Sequence, residues 1–327
     1  MGKYLLKRCL YMIPVLLAVS VLSFTIIQLP PGDYMTSKIA QLQMQGEEAS
    51  LSEIAALRSQ YGLDRPLYER YGMWMWGMLH GDLGKSFIYN RPVSTLIGER
   101  LALTVTISVC SILMSWFIAI PIGIFSAIRQ YSPLDYFFTF VGFIGISIPA
   151  FLLALLLMFG TYELFGVTVV GLFSPEYAVA PWSFGKVLDL MKHIWLPAFI
   201  VGVAGTAGTI RVMRGCLLDE LGKQYVIAAR ARGVSEVKLL LKYPVRLALN
   251  PMLSTIGWIL PAVISGEVIV SVVLNLPTTG PLLLEALEMQ DMYLAGSFIM
   301  ILSALTVIGT VISDLILAWS DPRIRYE

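Results

Sequence analysis

Glu267 is the one ionisable carboxylate set well inside an apolar run of this 327-residue chain. An acid at membrane depth faces a cavity or a bundle interior and is a functional candidate by default. Nearer the end of its run it would instead rest on a hydrogen bond to Ser265 or Ser271, and the sequence leaves both placements open. Chemistry on a substrate would need a set of groups, such as paired acids or a serine with a histidine or lysine to take its proton. No such set appears: Glu267 stands alone in its run and His193 falls at a loop edge, so no residue is given a catalytic role. His80 and His193 are far apart, and Cys9, Cys110 and Cys216 lie in or beside apolar runs. That spacing argues against a metal site and against a disulfide framework. Gly84-Lys85-Ser86 matches the tail of a phosphate-binding loop, but Leu79 holds the place of that loop's first glycine and no apolar strand leads in. The backbone amides that cradle a phosphate require both, so ATP is not expected there.

The elements that must position these residues are membrane spans. The chain is 57% hydrophobic and 14% charged, against roughly 25% charged in soluble domains. A net charge of +1 without a basic stripe outside one loop argues against a nucleic-acid partner. Six apolar runs approach or exceed the roughly 20 residues that cross a bilayer: Cys9–Leu29, Leu101–Ile128, Tyr136–Tyr162, Ile194–Ile210, Met252–Leu276 and Met292–Ser313. The first follows Lys3, Lys7 and Arg8 and ends in Pro30-Pro31-Gly32-Asp33. It outlasts the roughly 7–15-residue core of a signal peptide and lacks a small-residue cleavage site, so it reads as a retained span. Pro14, Pro121, Pro149, Pro197 and Pro261 fall within spans and read as ordinary kinks, while Gly202, Gly205 and Gly208 read as close helix packing.

Charge sets the orientation. With both termini in the cytoplasm, the inner segments hold Lys3, Lys7, Arg8, Arg129, eight basic residues of one loop, Arg323 and Arg325. The short outer loops hold only Lys186 and Lys192, and the last of them, around Glu285, Glu288 and Asp291, holds none. That asymmetry is the positive-inside pattern. Pro30–Arg100, the one sizeable region outside the spans, mixes seven basic and eight acidic residues, with a helical stretch near Leu51–Gln60 and aromatics at Tyr68, Tyr71, Trp74 and Trp76. Segments beyond about 60 residues translocate largely regardless of charge. It reads as an extracytoplasmic insert that shapes the outer mouth or meets a partner there, or else as a solvated spacer.

The eight basic residues belong to Arg211–Pro251: Arg211, Arg214, Lys223, Arg230, Arg232, Lys238, Lys242 and Arg246, against Asp219, Glu220 and Glu236. From Leu217 to Ala231, apolar and small residues recur three and four apart, the period of a short amphipathic helix. Gly233 is a stop that permits a left-handed turn. A second helix over Ser235–Leu241 starts on an N-cap serine and closes before Pro244. Two short helices about a glycine bend, beneath a membrane domain, form an element that a soluble partner can grip.

The segment QYVIAARARG followed by VS, with R-x-A-x-N-P downstream, resembles the cytoplasmic coupling loop of ABC importer permease subunits in the dipeptide, oligopeptide and nickel permease family. Ala228, Ala229 and Gly233 stand in the motif's places; its acidic residue falls on Ile227, and a histidine frequent in the branch falls on Tyr243. YGLDRPLYERY and GDLGKSF in the insert, the N-terminal KYLLKR and the C-terminal DPRIR resemble the same family. NLPTTGPLLLEAL is similar to its outer gate, where Pro277 and Gly280 match a Pro-x-x-Gly turn before a short helix.

The resemblance implies an all-α polytopic membrane protein of a prokaryotic inner membrane. It would have six transmembrane helices, an extracytoplasmic insert after the first and a cytoplasmic coupling-helix loop between helices 4 and 5. The divisions are residues 1–29, 30–100 and 101–327, with the loop at 211–251. Contact with an ATPase is assigned to Asp219, Glu220, Tyr225, Ala228, Ala229, Arg232, Gly233 and Ser235, and the pathway or outer gate to Glu267, Asn275, Pro277 and Gly280. The implied partners are a homologous second permease, two ATP-binding subunits that hold ATP and magnesium, an extracytoplasmic solute-binding protein and membrane lipid; no cofactor is expected on this chain. Short peptides are the family's commonest cargo, with oligosaccharides or nickel as alternatives. An ion-coupled secondary transporter fits less well, since such folds show internal repeats and discontinuous helices.

Overall fold

The computed structural model describes residues 2–29, 34–36, 38–39, 58–59, 62–166 and 169–320, without the side chains of 2–9, 204, 255–266 and 313–320. The turn at Pro30–Asp33, all of the Leu51–Gln60 stretch but Arg58 and Ser59, and Arg323 and Arg325 lie outside these residues. The described residues are helical, with a single isolated bridge, Lys85 to Pro92, and no strand. In order the helices are α1 (Gly2–Gln28), α2 (Leu67–Leu79), α3 (Val93–Ile128), α4 (Pro133–Ser147), α5 (Ala150–Phe165), α6 (Pro175–Ala178) and α7 (Phe184–Leu221). There follow α8 (Gln224–Ala231), α9 (Glu236–Lys242), α10 (Pro244–Ala248), α11 (Asn250–Val273), α12 (Thr279–Glu288) and α13 (Met292–Ser320).

Three of these are long and apolar enough to cross a membrane by themselves: Leu10–Gln28 of α1, all of α3, and Met292–Ile312 of α13. Counting two bent pairs as one span each brings the total to five among the described residues. One pair corrects the reading of Tyr136–Tyr162 as a continuous span. The run is two helices, α4 and α5, bent by 99° at Ile148-Pro149. Pro149 lacks an N–H, and its ring pushes Ile148 out of the helical region to ψ 118°. The other pair lies within α7, which bends by 57° at Ala204 among the glycines, while Pro197 is accommodated inside the helix. The expected Ile194–Ile210 is therefore only the middle of a 38-residue helix. α3 begins at Val93 rather than Leu101, and its 36 residues extend about 54 Å at 1.5 Å per residue, well beyond a hydrocarbon core of about 30 Å.

The chain divides into two compact units, residues 1–104 with 278–307, and residues 105–277 with 308–327. The first is built around Phe24, Trp74, Phe87, Ile97, Leu282 and Phe298. Tyr71 on α2 meets Phe24 of α1 edge to face at 5.3 Å and shares a 2.8 Å hydrogen bond with Ser20. The centre of this unit is a carboxylate. Asp291 Oδ2 accepts from Ser86 Oγ at 2.6 Å, Phe87 N at 2.8 Å and Ile88 N at 3.2 Å, while Oδ1 accepts from Leu294 N at 3.1 Å. The Ser86 hydroxyl and the Phe87 and Ile88 amides just after Gly84-Lys85 thus do surround an anion, and the anion is the protein's own. Tyr89 adds a second tie by donating its hydroxyl to Glu285. Burial and that bond push the Tyr89 phenol up to about 12.

In the second unit, α4 and α11 pack on α7. Gly202 is the close-approach residue: a Cβ there would meet the Ser111 carbonyl oxygen at 3.0 Å. Gly205 is looser, at 3.8 Å from Ser115 Oγ, and Gly208 has nothing within 4 Å, so within this chain the close approach is made at Gly202.

Two glycines allow a controlled test. Gly81 and Gly84 have nearly equal left-handed φ, +80° and +77°, but a Cβ on Gly84 would meet the Tyr293 ring at 2.2 Å whereas Gly81 has nothing within 4 Å. Gly81→Ala should cost about 1–2 kcal/mol through backbone strain alone. Gly84→Ala should cost about 1–3 kcal/mol more through overpacking. Thermal unfolding of the two purified variants in detergent checks the order.

Candidate functional site

The lower part of the second unit is the three-helix element α8–α10, suspended from the end of α7. The helix expected over Leu217–Ala231 is interrupted: α7 runs to Leu221, the chain turns at Gly222-Lys223, and α8 starts afresh at Gln224. Leu221 therefore sits on α7, packed beside Met213, Leu217, Val245 and Met252, and not on the face of Tyr225, Ala228 and Ala229. Each short helix sinks an anchor: Val226 from α8, Leu239 from α9, and Pro244, Val245 and Ala248 from α10 are buried. Gly233 makes the turn between α8 and α9 with φ +75°. Ser235 holds the N-cap position of α9 with extended backbone, but its side chain makes no capping bond.

With the anchors inward, the opposite side is exposed. Tyr225, Ile227, Val237, Leu241 and Tyr243 are each at least 36% exposed, among the exposed charges of Arg232, Lys238 and Lys242. Ala228 is exposed and Ala229 half-buried, so α8 shows a low, small-residue surface. Two bonds stiffen it. Arg230 grips Glu236 through Nε at 2.6 Å and Nη2 at 3.1 Å, strapping α8 to α9 across the glycine turn. The Arg230 hydrogen bond holds the Glu236 carboxyl below its ordinary range. The strap is therefore intact at neutral pH and is lost only as the pH falls through that depressed value. Tyr225 donates to Glu220 Oε2 at 2.5 Å, tying α8 to the end of α7; partial burial and this bond push the phenol up, so it remains a neutral donor. Asp219 is exposed nearby.

Above this element lies an ion pair that sequence reasoning passed over. Asp135, in the first turn of α4 and 3% exposed, accepts from Arg214 Nη2 of α7 at 3.0 Å and from Tyr131 N at 3.0 Å. Ser132 caps the same helix by accepting from Asp135 N at 3.2 Å. Asp135 Oδ1 and Arg214 Nε have no partner, so the pair is held by one of the two bonds it could make. The two residues are 79 apart in sequence, which leaves no local signal, although a charge so close to an apolar run was a clue.

The pathway candidates divide. Glu267 is buried on α11, where its Oε2 accepts from Ser108 Oγ of α3 at 3.5 Å, and Ser271 Oγ does not bond to it; the Ser265 side chain lies outside the described residues. Ser108 belongs to a row, Thr104, Ser108, Ser111 and Ser115, all buried on one face of α3 at spacings of four, three and four. Thr206 of α7 donates to Ser115 Oγ at 3.1 Å. This hydroxyl seam was legible in the sequence as helical periodicity of Ser and Thr within an apolar run. Asn275 is exposed and left-handed, with φ +50°, at the end of α11. Pro277 is half-buried, and Gly280 is buried inside the first turn of α12 rather than ahead of it. Thr279 there donates its N–H to Thr104 Oγ1 at 2.9 Å.

Comparison with known proteins now bears on this geometry. The family model described as binding-protein-dependent transport system inner membrane component matches residues 119–326. The model for the N-terminal part of such membrane components matches residues 1–108. The chain is 34% identical to the oligopeptide transport system permease protein AppB of Bacillus subtilis (strain 168), covering 100% of both chains. It is 34% identical to a putative peptide permease protein of Brucella suis biovar 1 (strain 1330), covering 99% of both. It is 31% identical to the inner membrane ABC transporter permease protein YejB of Escherichia coli O157:H7, covering 100% of both.

The two ion pairs should respond differently to loss of one partner. Arg214→Ala strands the buried Asp135 carboxylate, and breaking a buried pair costs about 3–5 kcal/mol. Glu236→Gln cuts an exposed strap, of a kind that contributes little to stability. Thermal unfolding in detergent should show a large drop for the first variant and no measurable change for the second.

Proposed function

The chain belongs to the binding-protein-dependent transport system inner membrane component family, and on that premise we propose that it is the permease subunit of an ATP-driven importer of short peptides. Its role is transport rather than catalysis, in the inner membrane, as a multi-pass protein. The peptide cargo rests on the names of full-length relatives.

In this reading six spans form half of a translocation pathway. Three continuous helices, two bent pairs and α11, whose 24 residues are mostly apolar in sequence, support that count. The basic residues of 211–251 support a cytoplasmic α8–α10 and cytoplasmic termini. A homologous second permease completes the pathway, two ATP-binding subunits carry ATP and magnesium, and an extracytoplasmic solute-binding protein delivers cargo to the side of residues 30–100. The Glu267 and Ser108 neighbourhood, with Asn275, Pro277 and Gly280, is the region proposed for the pathway and its outer gate.

One observation carries the reading: a trio of short helices, anchored by Val226, Leu239 and Val245, turns exposed apolar residues and a small-residue face outward below a membrane helix. Exposed apolar surface of this kind marks a docking site. A groove on an ATPase subunit that receives it transmits nucleotide-driven closure to α7 and, through Arg214 and Asp135, to α4.

Shape should then matter more than charge. Gly233→Val should cost about 1–2 kcal/mol through its left-handed backbone, with no clash inside the chain because nothing lies within 4 Å. Ala229→Trp should hold the partner away by about 1–3 kcal/mol of overpacking. Both variants should insert but lose coupling between ATP hydrolysis and uptake, or release the ATPase subunits, while Arg232→Ala does less. Co-purification and uptake in a reconstituted complex read this out; normal coupling in both bulky variants sinks the assignment.

A further inference from the structure

We propose that a cavity of the first unit, enclosed by α2, the loop that follows it and the first turn of α13, binds an apolar α-amino-acid unit with a free carboxylate, and that Lys85 is its counter-ion. The cavity holds about 280 Å³. That is just below the roughly 300–1,000 Å³ of pockets for drug-sized ligands, a size that suits a single residue. Met73, Trp74, Phe87 and Tyr293 supply its apolar lining, and Asp82, Lys85 and Asn90 its polar lining. The lining is braced. Phe87 meets Tyr293 edge to face at 5.4 Å, and a Cβ on Gly296 of α13 would come within 3.0 Å of the Trp74 ring. The bonds from Ser86, Phe87 and Ile88 to Asp291 fix the loop that carries Lys85. A site held in this way loses little affinity to ordering.

The unused polar groups select the ligand. Lys85 is exposed and enters no ion pair among the described residues. Asp82 accepts from Gly84 N through Oδ1 at 2.9 Å, which leaves its other oxygen for a donor. Trp74, 2% exposed, keeps an indole N–H that has no partner, and a buried donor in that state is costly. One cation and one anion beside aromatic rings match an amino-acid unit: its carboxylate meets Lys85, its nitrogen donates to Asp82, and its aliphatic side chain lies on the rings. Other ligands fit worse. A hydrocarbon chain would desolvate both charges without pairing either. A phosphate would meet the Asp82 carboxylate, and a metal ion finds no cluster of ligating side chains among the described residues. A free amino acid and the carboxyl-terminal residue of a peptide present the same groups. Neither nucleotide nor a partner subunit is needed for this binding, so its failure would leave the import reading intact.

The full-length chain in nanodiscs, without binding protein or nucleotide, supplies the test. Radiolabelled L-leucine should bind saturably, and leucinamide, which lacks the carboxylate, should not compete. Lys85→Gln should weaken leucine binding about ten-fold, the loss of one charge-assisted contact, while Lys85→Arg retains it. Asp82→Asn still offers an oxygen to Gly84 N and should weaken binding as well; Lys192→Gln, an exposed cation of the second unit, should change nothing. N-acetylleucine separates the two sources. Competition as strong as leucine's assigns the site to the carboxyl-terminal residue of a peptide, and weak competition assigns it to a free amino acid; both uphold the site. No saturable leucine binding, equal competition by leucinamide, or unchanged binding in Lys85→Gln or Asp82→Asn would overturn the proposal.

Discussion

Hydrocarbon offers no hydrogen-bond partner, so every backbone amide within it must be satisfied by the protein itself. That constraint orders the whole molecule. The described residues are mostly helical, and at three helix ends another group takes over the freed backbone. At Ile148-Pro149 the missing donor is proline's own, and Ile148 N still reaches the Ile144 carbonyl at 3.2 Å. At the end of α11, Leu276 N returns to the Ser271 carbonyl at 2.8 Å, closing the helix before the chain turns into α12. Thr104 then lends its hydroxyl to the first amide of α12.

The same constraint makes α7 the mechanical spine of the second unit. It is continuous from the aromatic loop before Phe184, through the bundle, to the element that carries α8–α10. At its first turns, the 7%-exposed Lys186 donates to the Ala180 carbonyl at 2.6 Å and lies over the rings of Phe173 and Trp182. Asp189 there accepts from both N and Oγ of Ser174 at 2.7 Å. At its other end, Arg214 and the cluster around Met213 and Leu217 hold it. The helix is thus held at both ends and bent by 57° at Ala204 among glycines.

Much of this was legible in the sequence, and the misses share a cause. The mostly helical, apolar character of the chain, the left-handed Gly233 and the short helix after Pro277 follow from local rules: apolar length, glycine freedom and turn chemistry. The 99° break at Pro149 was read as a kink because proline in a membrane helix is compatible with either outcome, and only neighbouring packing decides. The division at Gly222 was hidden because the apolar period of Leu217–Leu221 continues in phase into Tyr225 and Ala228. Asp135 with Arg214, and Glu267 with Ser108, join residues 79 and 159 apart, and one sequence carries no record of such pairings. The hydroxyl row of α3 needed only a periodicity count on Ser and Thr as well as on apolar residues.

The nest around Asp291 has a consequence in time. Its donors are the Ser86 hydroxyl and the Phe87 and Ile88 amides, and its carboxylate arrives 205 residues after Ser86. At about 5–20 residues per second of synthesis, the loop waits roughly 10–40 s for the acid that organises it. Until then its donors have no internal acceptor, and the N-terminal unit lacks α12 and α13. A chain truncated anywhere before Asp291 leaves that unit unfinished however well its early spans have inserted. The last helix thereby serves as a completeness check on the first hundred residues.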